Sequence, residues 1–127
     1  MKLEDEVLKL FDQWNAALQT GDPDEVVKLY ADNAHLEPTV SNLVRHNPTE
    51  IRDYFVHFLA KGPVGKIDEA NVRIYGGIAI NSGVYTFEFK SGPVPKVQAR
   101  FTFVYQWLDG RWLIVEHHSS AMPEPSG

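Results

Sequence analysis

The sequence predicts an α+β domain whose helices come first and whose antiparallel sheet follows. In the first half, apolar residues recur every three or four positions, as they do along one side of a helix. The second half alternates apolar with polar residues and is rich in β-branched and aromatic side chains, which is typical of strands. Asp109-Gly110 separates the last two runs and indicates a hairpin turn.

Three helices are predicted, each with its own start or stop signal. The first covers about residues 3–20 and ends at Gly21, because glycine is favoured just past a helix end. The second begins after the N-cap Asp22, where Glu25 completes a capping box. The third covers about residues 48–61 and follows a repeat of the same cap pattern.

Four strands are predicted to follow one another as an antiparallel meander. They cover about residues 70–75, 78–89, 97–108 and 111–119. A shorter strand is expected around His35–Glu37, within a loop-like segment that has no clear periodicity. Helices first and strands second predict an α+β fold.

Length, charge and composition exclude several classes of protein. A chain of 127 residues is the size of one domain, which we place at residues 1–122, with a loose tail at 123–127. The net charge of −5 argues against nucleic-acid binding, and no apolar run is long enough to span a membrane. The chain has no cysteine, and its start is acidic rather than signal-like. A cytoplasmic protein without a cofactor is therefore predicted.

The register of the last hairpin carries a prediction about assembly. A two-residue turn sets Phe103 opposite Glu116 and Phe101 opposite His118, which makes one face of the sheet largely aromatic. The other face is also substantially apolar, and three short helices cover only one face, so a second copy of the chain is the expected cover. The alternative is a monomer with scattered surface apolar residues. The predicted interface comprises Arg100, Thr102, Val104, Leu113, Val115 and His117.

A series of ordered motifs runs through nearly the whole chain. They include Leu18-Gln19-Thr20-Gly21-Asp22, Leu36-Glu37-Pro38, Asn42-Leu43-Val44, Arg52-Asp53-Tyr54-Phe55 and Asp109-Gly110-Arg111-Trp112-Leu113. Further motifs are Asn81-Ser82-Gly83, Ala99-Arg100-Phe101-Thr102-Phe103 and His117-His118-Ser119-Ser120-Ala121-Met122-Pro123. Together they resemble the association (hub) domain of calcium/calmodulin-dependent protein kinase II and its stand-alone relatives.

This resemblance implies a cone-shaped nuclear transport factor 2-like fold and a self-assembling module. In the kinase, the hub gathers subunits into an even-numbered ring of stacked dimers, so the expected partner of the chain is the chain itself. The sequence leaves open the size of such a ring. It also leaves open whether the chain is free-standing or belongs to a kinase.

The cone of this fold encloses a pocket, which the resemblance implies accepts a small carboxylate or another anion. Arg52 matches a hub arginine of that pocket and borders the apolar stripe of its helix; the alternative is an ion pair with Asp53 or Glu50. The other predicted lining residues are Tyr85, Phe103, Tyr105, Glu116 and His118. The chain departs from the hub at Thr86 and Phe103, which stand where the hub has two further pocket arginines.

An enzyme is the alternative function, because the same fold hosts SnoaL-like isomerases, cyclases and dehydratases with a base deep in the cone. The catalytic residues would then be His118, Glu116 and Arg52. No metal site is predicted, since His117 and His118 are adjacent on a strand and point to opposite faces. A transport-factor-type protein-binding module is a third possibility, which the motifs favour less.

Overall fold

The computed structural model of the chain describes residues 3–124 and confirms the predicted α+β class. Its elements are α1 (Leu3–Gln19), α2 (Pro23–Val27), β1 (Tyr30–Glu37), α3 (Pro48–Leu59), β2 (Pro63–Tyr75), β3 (Ile78–Phe89), β4 (Lys96–Leu108) and β5 (Arg111–Ala121). Residues 125–127 of the predicted tail lie outside the described residues. Among the helices of residues 3–124, none is long and apolar enough to cross a membrane.

The helix starts agree with the sequence in their N-caps but not in the full capping box. The Asp22 carboxylate accepts the backbone N–H of Asp24 at 2.9 Å, which satisfies one of the free donors at the start of α2. Asn47 caps α3 with its side-chain oxygen in a similar way. Glu25 does not close a box, because its carboxylate pairs with Lys28 at 2.8 Å instead.

All five strands form one sheet in the order β1-β5-β4-β3-β2. The four-strand antiparallel meander is as predicted, whereas β1 is longer than expected and pairs parallel with β5 at the edge. Its exposed residues Asp32 and Asn33 break the alternation that would have revealed a strand. β2 starts seven residues early, at Pro63 instead of 70, because a bulge between Ile67 and Glu69 interrupts its pattern.

A second bulge, in β5, changes the register of the last hairpin. Next to the turn, Trp107 pairs with Trp112 and Tyr105 with Ile114, as predicted. Val115 is then an extra residue without a partner on β4. Every pair beyond this residue is shifted by one position.

The shift exchanges the faces of three residues. Phe103 pairs with His117, so the predicted pairing of Phe103 with Glu116 is wrong. His117 is turned into the core, where it is 3% exposed. Glu116 and His118 are on the opposite, outer face of the sheet, because neighbouring strand residues alternate.

An aromatic core lies between the helices and the inner face of the sheet. The Trp14 ring of α1 is at its centre, with its centroid 5.4 Å from the rings of both Phe103 and His117. α1 is fixed against β2 by the Asn15 amide, which bonds the backbone N–H and carbonyl of Gly65 at 2.8 and 3.0 Å. Side-chain space there is filled, since a Cβ on Gly65 would meet the Phe87 ring at 3.0 Å.

The outer face of the sheet is the side away from the described helices. Polar side chains such as Gln106 and Glu116 lie on this face, among six central residues of β3, β4 and β5 that are aliphatic or small and partly exposed. These residues are Ile80, Val84, Thr102, Val104, Leu113 and Val115. We call this set the outer apolar patch. A contiguous apolar patch of this kind is typical of a surface that binds another protein.

Candidate functional site

The cone encloses a cavity of about 370 Å³ between α3, β1 and the far end of β3. Most of its wall is apolar, and the aromatic part comes from Trp14, Tyr54, Phe55, Phe58, Phe87 and Phe89. Its polar groups are Thr39, Ser41, Arg45, His57, Lys61, Tyr85, Ser91, His117 and Ser119. Small-molecule sites combine an apolar wall with a few convergent polar groups in this way.

A continuous hydrogen-bonded chain connects the core to this cavity. It begins at the Trp14 indole, whose Nε1 is 3.2 Å from the Tyr30 hydroxyl. The Tyr30 hydroxyl is 2.8 Å from Nδ1 of His117, and Nε2 of His117 is 3.2 Å from the Tyr85 hydroxyl. The chain continues from Tyr85 to the Ser119 hydroxyl at 2.8 Å. Thr39, which hydrogen-bonds Ser119, ends the chain at the cavity wall.

The direction of the chain follows from its first member, because an indole N–H can only donate. Tyr30 accepts that hydrogen bond, so its own O–H donates a hydrogen bond to Nδ1 of His117. The neutral imidazole then carries its proton on Nε2 and donates it to Tyr85, which donates to Ser119. Either hydroxyl can donate in the bond between Ser119 and Thr39. That bond uses one of their two hydroxyl protons, and the other has no hydrogen-bond acceptor among residues 3–124, so it remains available at the cavity wall.

Burial keeps the central members of this chain neutral. The pKa of His117 is lowered to about 3, first by burial and then by the charge of His118. Burial also raises the pKa of Tyr85 above its usual value, although its bond to Ser119 opposes this. A fully buried charge would be costly here, whereas neutral groups satisfy one another.

Arg45 supplies a guanidinium to the cavity wall. A two-way backbone pairing with Leu36, with both bonds at 2.9 Å, holds Arg45 beside the edge of β1. Its Nη1 donates to the Ser41 hydroxyl at 2.6 Å and also to the Leu43 carbonyl, and its guanidinium carbon is 5.2 Å from the Tyr54 ring centroid. Among the described residues, none of the ion pairs within 4 Å includes Arg45. Within these residues, the contacts of its guanidinium are therefore with neutral groups only.

Lys61 and Tyr54 complete the polar part of the wall. The Lys61 ammonium is 5.9 Å from the Phe89 ring centroid, a cation–π distance. The pKa of Tyr54 is raised to about 12, because burial disfavours its phenolate more strongly than the charge of Arg45 favours it. At neutral pH the wall thus presents two cations and a neutral phenol.

Arg52, the first predicted pocket residue, does not line this cavity. Its guanidinium Nε is 2.7 Å from the Asp24 carboxylate, and both side chains are about half exposed. Arg52 borders the apolar side of α3 without joining it, so its side chain reaches across to α2. The alternative ion-pair reading was correct in kind, although the partner is Asp24 and not Asp53 or Glu50.

Glu116 and His118 also lie outside the cavity, because the bulge in β5 turns them to the outer face. A hypothetical enzyme site built from these two residues and Arg52 is therefore not assembled. The sequence contained a signal of the bulge. A register without a bulge places a carboxylate and an imidazole directly opposite Phe103 and Phe101, on an otherwise aromatic face.

Three predicted lining residues remain on the inner face, and one of them reaches the cavity. Tyr85 is part of the wall, whereas Phe103 and Tyr105 are buried deeper in the core, at 0% and 2% exposure. Among the described residues, the Tyr105 hydroxyl has no hydrogen-bond partner, and neither has the amide nitrogen or the amide oxygen of buried Asn81.

The predicted interface residues mostly share one face. Arg100, Thr102, Val104 and Leu113 alternate with inward residues and so lie on the outer side of β4 and β5. His117 is the exception, since it is buried in the core. Arg45, Thr39 and Ser119 were missed as cavity residues, because loop geometry and a bulge leave no periodic signal.

Comparison with solved structures defines the class of this fold. The chain is similar to a protein of the NTF2-like family from Streptomyces avermitilis assigned as a dehydratase, with a TM-score of 0.84 and 16% identity over 95% of this chain and 96% of that one. It is also similar to the CaMKII hub homology domain of Chlamydomonas reinhardtii, with a TM-score of 0.77 and 19% identity over 96% and 99% of the two chains. At these identities the likeness shows an NTF2-like fold.

The family is shown by closer matches. The sequence profile of the calcium/calmodulin dependent protein kinase II association domain matches residues 3–123. A Xanthomonas campestris structure assigned to the same association domain is 53% identical, over 94% of this chain and 88% of that one, with a TM-score of 0.90. A comparison with curated proteins finds no match. The chain belongs to the calcium/calmodulin dependent protein kinase II association domain family.

Proposed function

We propose that this chain is a self-assembling association module whose protomers meet through the outer face of the sheet. The observation that carries the proposal is the outer apolar patch, which lies in the middle of a sheet whose other face is filled by its own helices. Burying such a patch against a second copy removes apolar area from water, at about 25 cal/mol per Å². Membership of an association-domain family agrees with this role.

The assembly expected from this proposal is closed and even-numbered. A two-fold contact between sheet faces makes a dimer, and a second type of contact between dimers closes a ring. Native mass spectrometry and light scattering on the full chain would then give an even multiple of the 14.4 kDa protomer. A monomer at all accessible concentrations would contradict the proposal.

Val104→Glu is the variant that tests the face itself. Val104 lies between the inward residues Phe103 and Tyr105, so a carboxylate at this position would be buried in the proposed contact. The expected result is a smaller assembly with an unchanged circular dichroism spectrum. Val56→Glu is the matched control, because Val56 is 43% exposed on α3, away from the sheet. Equal masses for both variants would remove the outer face from the proposal.

We further propose that the cavity binds a small anion with an apolar body, such as an aromatic carboxylate. Among the described residues no carboxylate pairs with Arg45, Lys61 adds a second cation, and the Ser119–Thr39 pair offers one hydroxyl proton. A carboxylate matches these donors, since charge-assisted hydrogen bonds to guanidinium are among the stronger ones. The aromatic wall fits an apolar body of modest size.

A calorimetric titration with benzoate tests this assignment. Arg45→Gln is expected to weaken binding at least tenfold, which corresponds to about 1.4 kcal/mol. Arg52→Gln is the matched control, because this arginine belongs to the outer surface of the helices and should leave binding unchanged. Binding that falls with Arg52→Gln and not with Arg45→Gln would reverse the assignment.

The cavity supports binding better than catalysis. A general base works best when its pKa is close to the operating pH, and His117 accepts a proton only near pH 3. Its two ring nitrogens are also both engaged by tyrosine hydroxyls. The proposed role of this chain of hydrogen bonds is to hold the Ser119 and Thr39 hydroxyls in one orientation.

A further inference from the structure

A pair of carboxyl groups lies on the outer face where β1 meets β5. Parallel pairing sets Glu116 opposite His35 and Glu37 opposite His118, so four titratable side chains share one area. The register brings the Glu37 and Glu116 carboxyls close together, and a proton on either of them would bridge the two, because two carboxylates offer acceptors only. His118 Nδ1 is 3.4 Å from Glu37 Oε1. We call Glu37 and Glu116 the carboxyl pair.

The carboxyl pair adjoins the outer apolar patch. On β4, uncharged Val104 is opposite Glu116 and uncharged Thr102 is opposite His118, while the charged Arg100 comes two positions further on. From the segment before α3, the His46 ring is 5.6 Å from His35, and its charge when protonated is matched by Glu50 at 3.0 Å. The pair therefore faces aliphatic and neutral groups on one side and histidines on the other.

We propose that a second copy of the chain covers the carboxyl pair when it docks on the outer apolar patch, and that docking takes up a proton. This inference rests on the proposed function, because it concerns the same face. A second copy is the occupant, since the pair is continuous with Val104 of the proposed contact. Covering two carboxylates with aliphatic side chains is unfavourable, whereas a carboxyl and a carboxylate that share a proton leave one charge, which His118 can balance.

The environment of the free protomer already favours the shared proton. The pKa of Glu116 is raised to about 7, first by burial and then by the hydrogen bond and charge of Glu37, with His35 and His118 opposing. Further burial on docking raises that pKa again. Between about pH 7 and that higher pKa, the assembly binds more protons than the free protomers, so association tightens as the pH falls through this range.

The test is a dilution series of the full chain at pH 6.0, 7.0 and 8.5, followed by light scattering. The association constant of the unmodified chain is expected to fall at least tenfold between pH 6.0 and pH 8.5. A tenfold change corresponds to a rise of one unit in the pKa of Glu116 on docking. In Glu116→Gln, which resembles the protonated carboxyl at every pH, the association constant should change less than about twofold. Glu4→Gln on α1 is the matched control and should keep the full dependence.

Each other outcome overturns a defined part. An assembly of constant strength at all three pH values removes the proton uptake and leaves the proposed function standing. A pH dependence that persists in Glu116→Gln and in Glu37→Gln assigns the proton to the histidines and overturns the inference. A monomer at every pH overturns both proposals. If dilution does not separate the protomers, exchange of labelled subunits replaces it, and equal exchange rates at pH 6.0 and 8.5 overturn the inference.

Discussion

The two faces of this sheet differ in the environment of their polar groups. On the inner face, His117 is fully enclosed and stays neutral because two tyrosine hydroxyls satisfy its ring nitrogens. On the outer face, Glu37 and Glu116 lie side by side with partial access to water. The His117 network is completed within one chain, whereas the two carboxyls are groups that a further partner would cover.

The inner face therefore contributes mainly to the stability of the fold, whereas the outer face contains groups whose charge changes with pH. Closed hydrogen-bond networks in a low-dielectric core make one arrangement much more stable than its alternatives. On the outer face, partly exposed Glu116 has its pKa raised to about 7 and so changes its protonation near neutral pH.

His117→Ala is expected to cause the largest loss of stability. The substitution removes a ring stacked 4.0 Å from Phe103 and takes one hydrogen-bond partner from each of the Tyr30 and Tyr85 hydroxyls. A cavity plus unsatisfied groups should lower the free energy of unfolding by about 3–5 kcal/mol. Denaturant titration at one fixed protomer concentration measures this, because assembly shifts the apparent stability.

The neighbouring histidine is the control for that substitution. His118 is on the outer face with its side chain 55% exposed, so His118→Ala should change the free energy of unfolding by less than about 0.5 kcal/mol. Similar losses from both variants would show that the register of β5 is not as described.

The pH dependence of stability should show the two faces acting in opposite directions. The pKa of His117 is lowered to about 3 in the folded chain. Between pH 6.5 and 3 the unfolded chain therefore binds one more proton, and stability falls as the pH falls. Its full effect is about 1.4 kcal/mol per pH unit. The pKa of Glu116 is raised to about 7 in the folded chain. Between pH 7 and 4.5 the folded chain therefore binds one more proton, and stability rises as the pH falls.

Glu116→Gln separates these two contributions. Without the opposing carboxyl, the variant should lose stability more steeply than the unmodified chain as the pH falls from 6.5 to 4.5. Free energies of unfolding at half-unit pH intervals measure both slopes. Parallel curves would mean that Glu116 has the same pKa in the folded and unfolded chain.

Much of the fold could be predicted from sequence because its signals are local. Helix caps, the apolar side of α1 and the Asp109-Gly110 turn each depend on a few neighbouring residues. Asp109 and Gly110 indeed both have positive φ, at 49° and 86°. The aromatic alternation of β4 was equally readable, since every second residue from Ala99 to Tyr105 is buried.

The candidate site was harder to predict because it depends on one inserted residue. Val115 shifts the alternation of β5, so the sequence placed Glu116 and His118 inside and His117 outside, the reverse of the structure. Arg45 was missed for a different reason. It reaches the cavity from a loop through a single bridge to Leu36, and such contacts between distant residues have no periodicity.

Tyr85→Phe should produce an intermediate effect on the inner face. The change removes the acceptor for Nε2 of His117 and the donor for Ser119, at a cost of about 1–3 kcal/mol for buried groups left unpaired. Tyr54→Phe is the matched control in the same cavity wall, because the Tyr54 hydroxyl has no side-chain hydrogen bond within residues 3–124. Denaturant midpoints compare the two, and a larger loss for Tyr54→Phe would contradict the hydrogen-bonded chain.

Removal of the Arg52–Asp24 ion pair should have the smallest effect. The pair is 2.7 Å long but exposed, and the pKa of Asp24 is lowered mainly by its hydrogen bond with Arg52. Exposed pairs of this kind are screened by salt and contribute little. Arg52→Ala, Asp24→Ala and the double variant should therefore unfold at nearly the same denaturant concentration, and any coupling between them should disappear in 0.5 M salt. A strong coupling that survives high salt would mean that Arg52 is buried in the assembled protein, in a contact that the single chain does not contain.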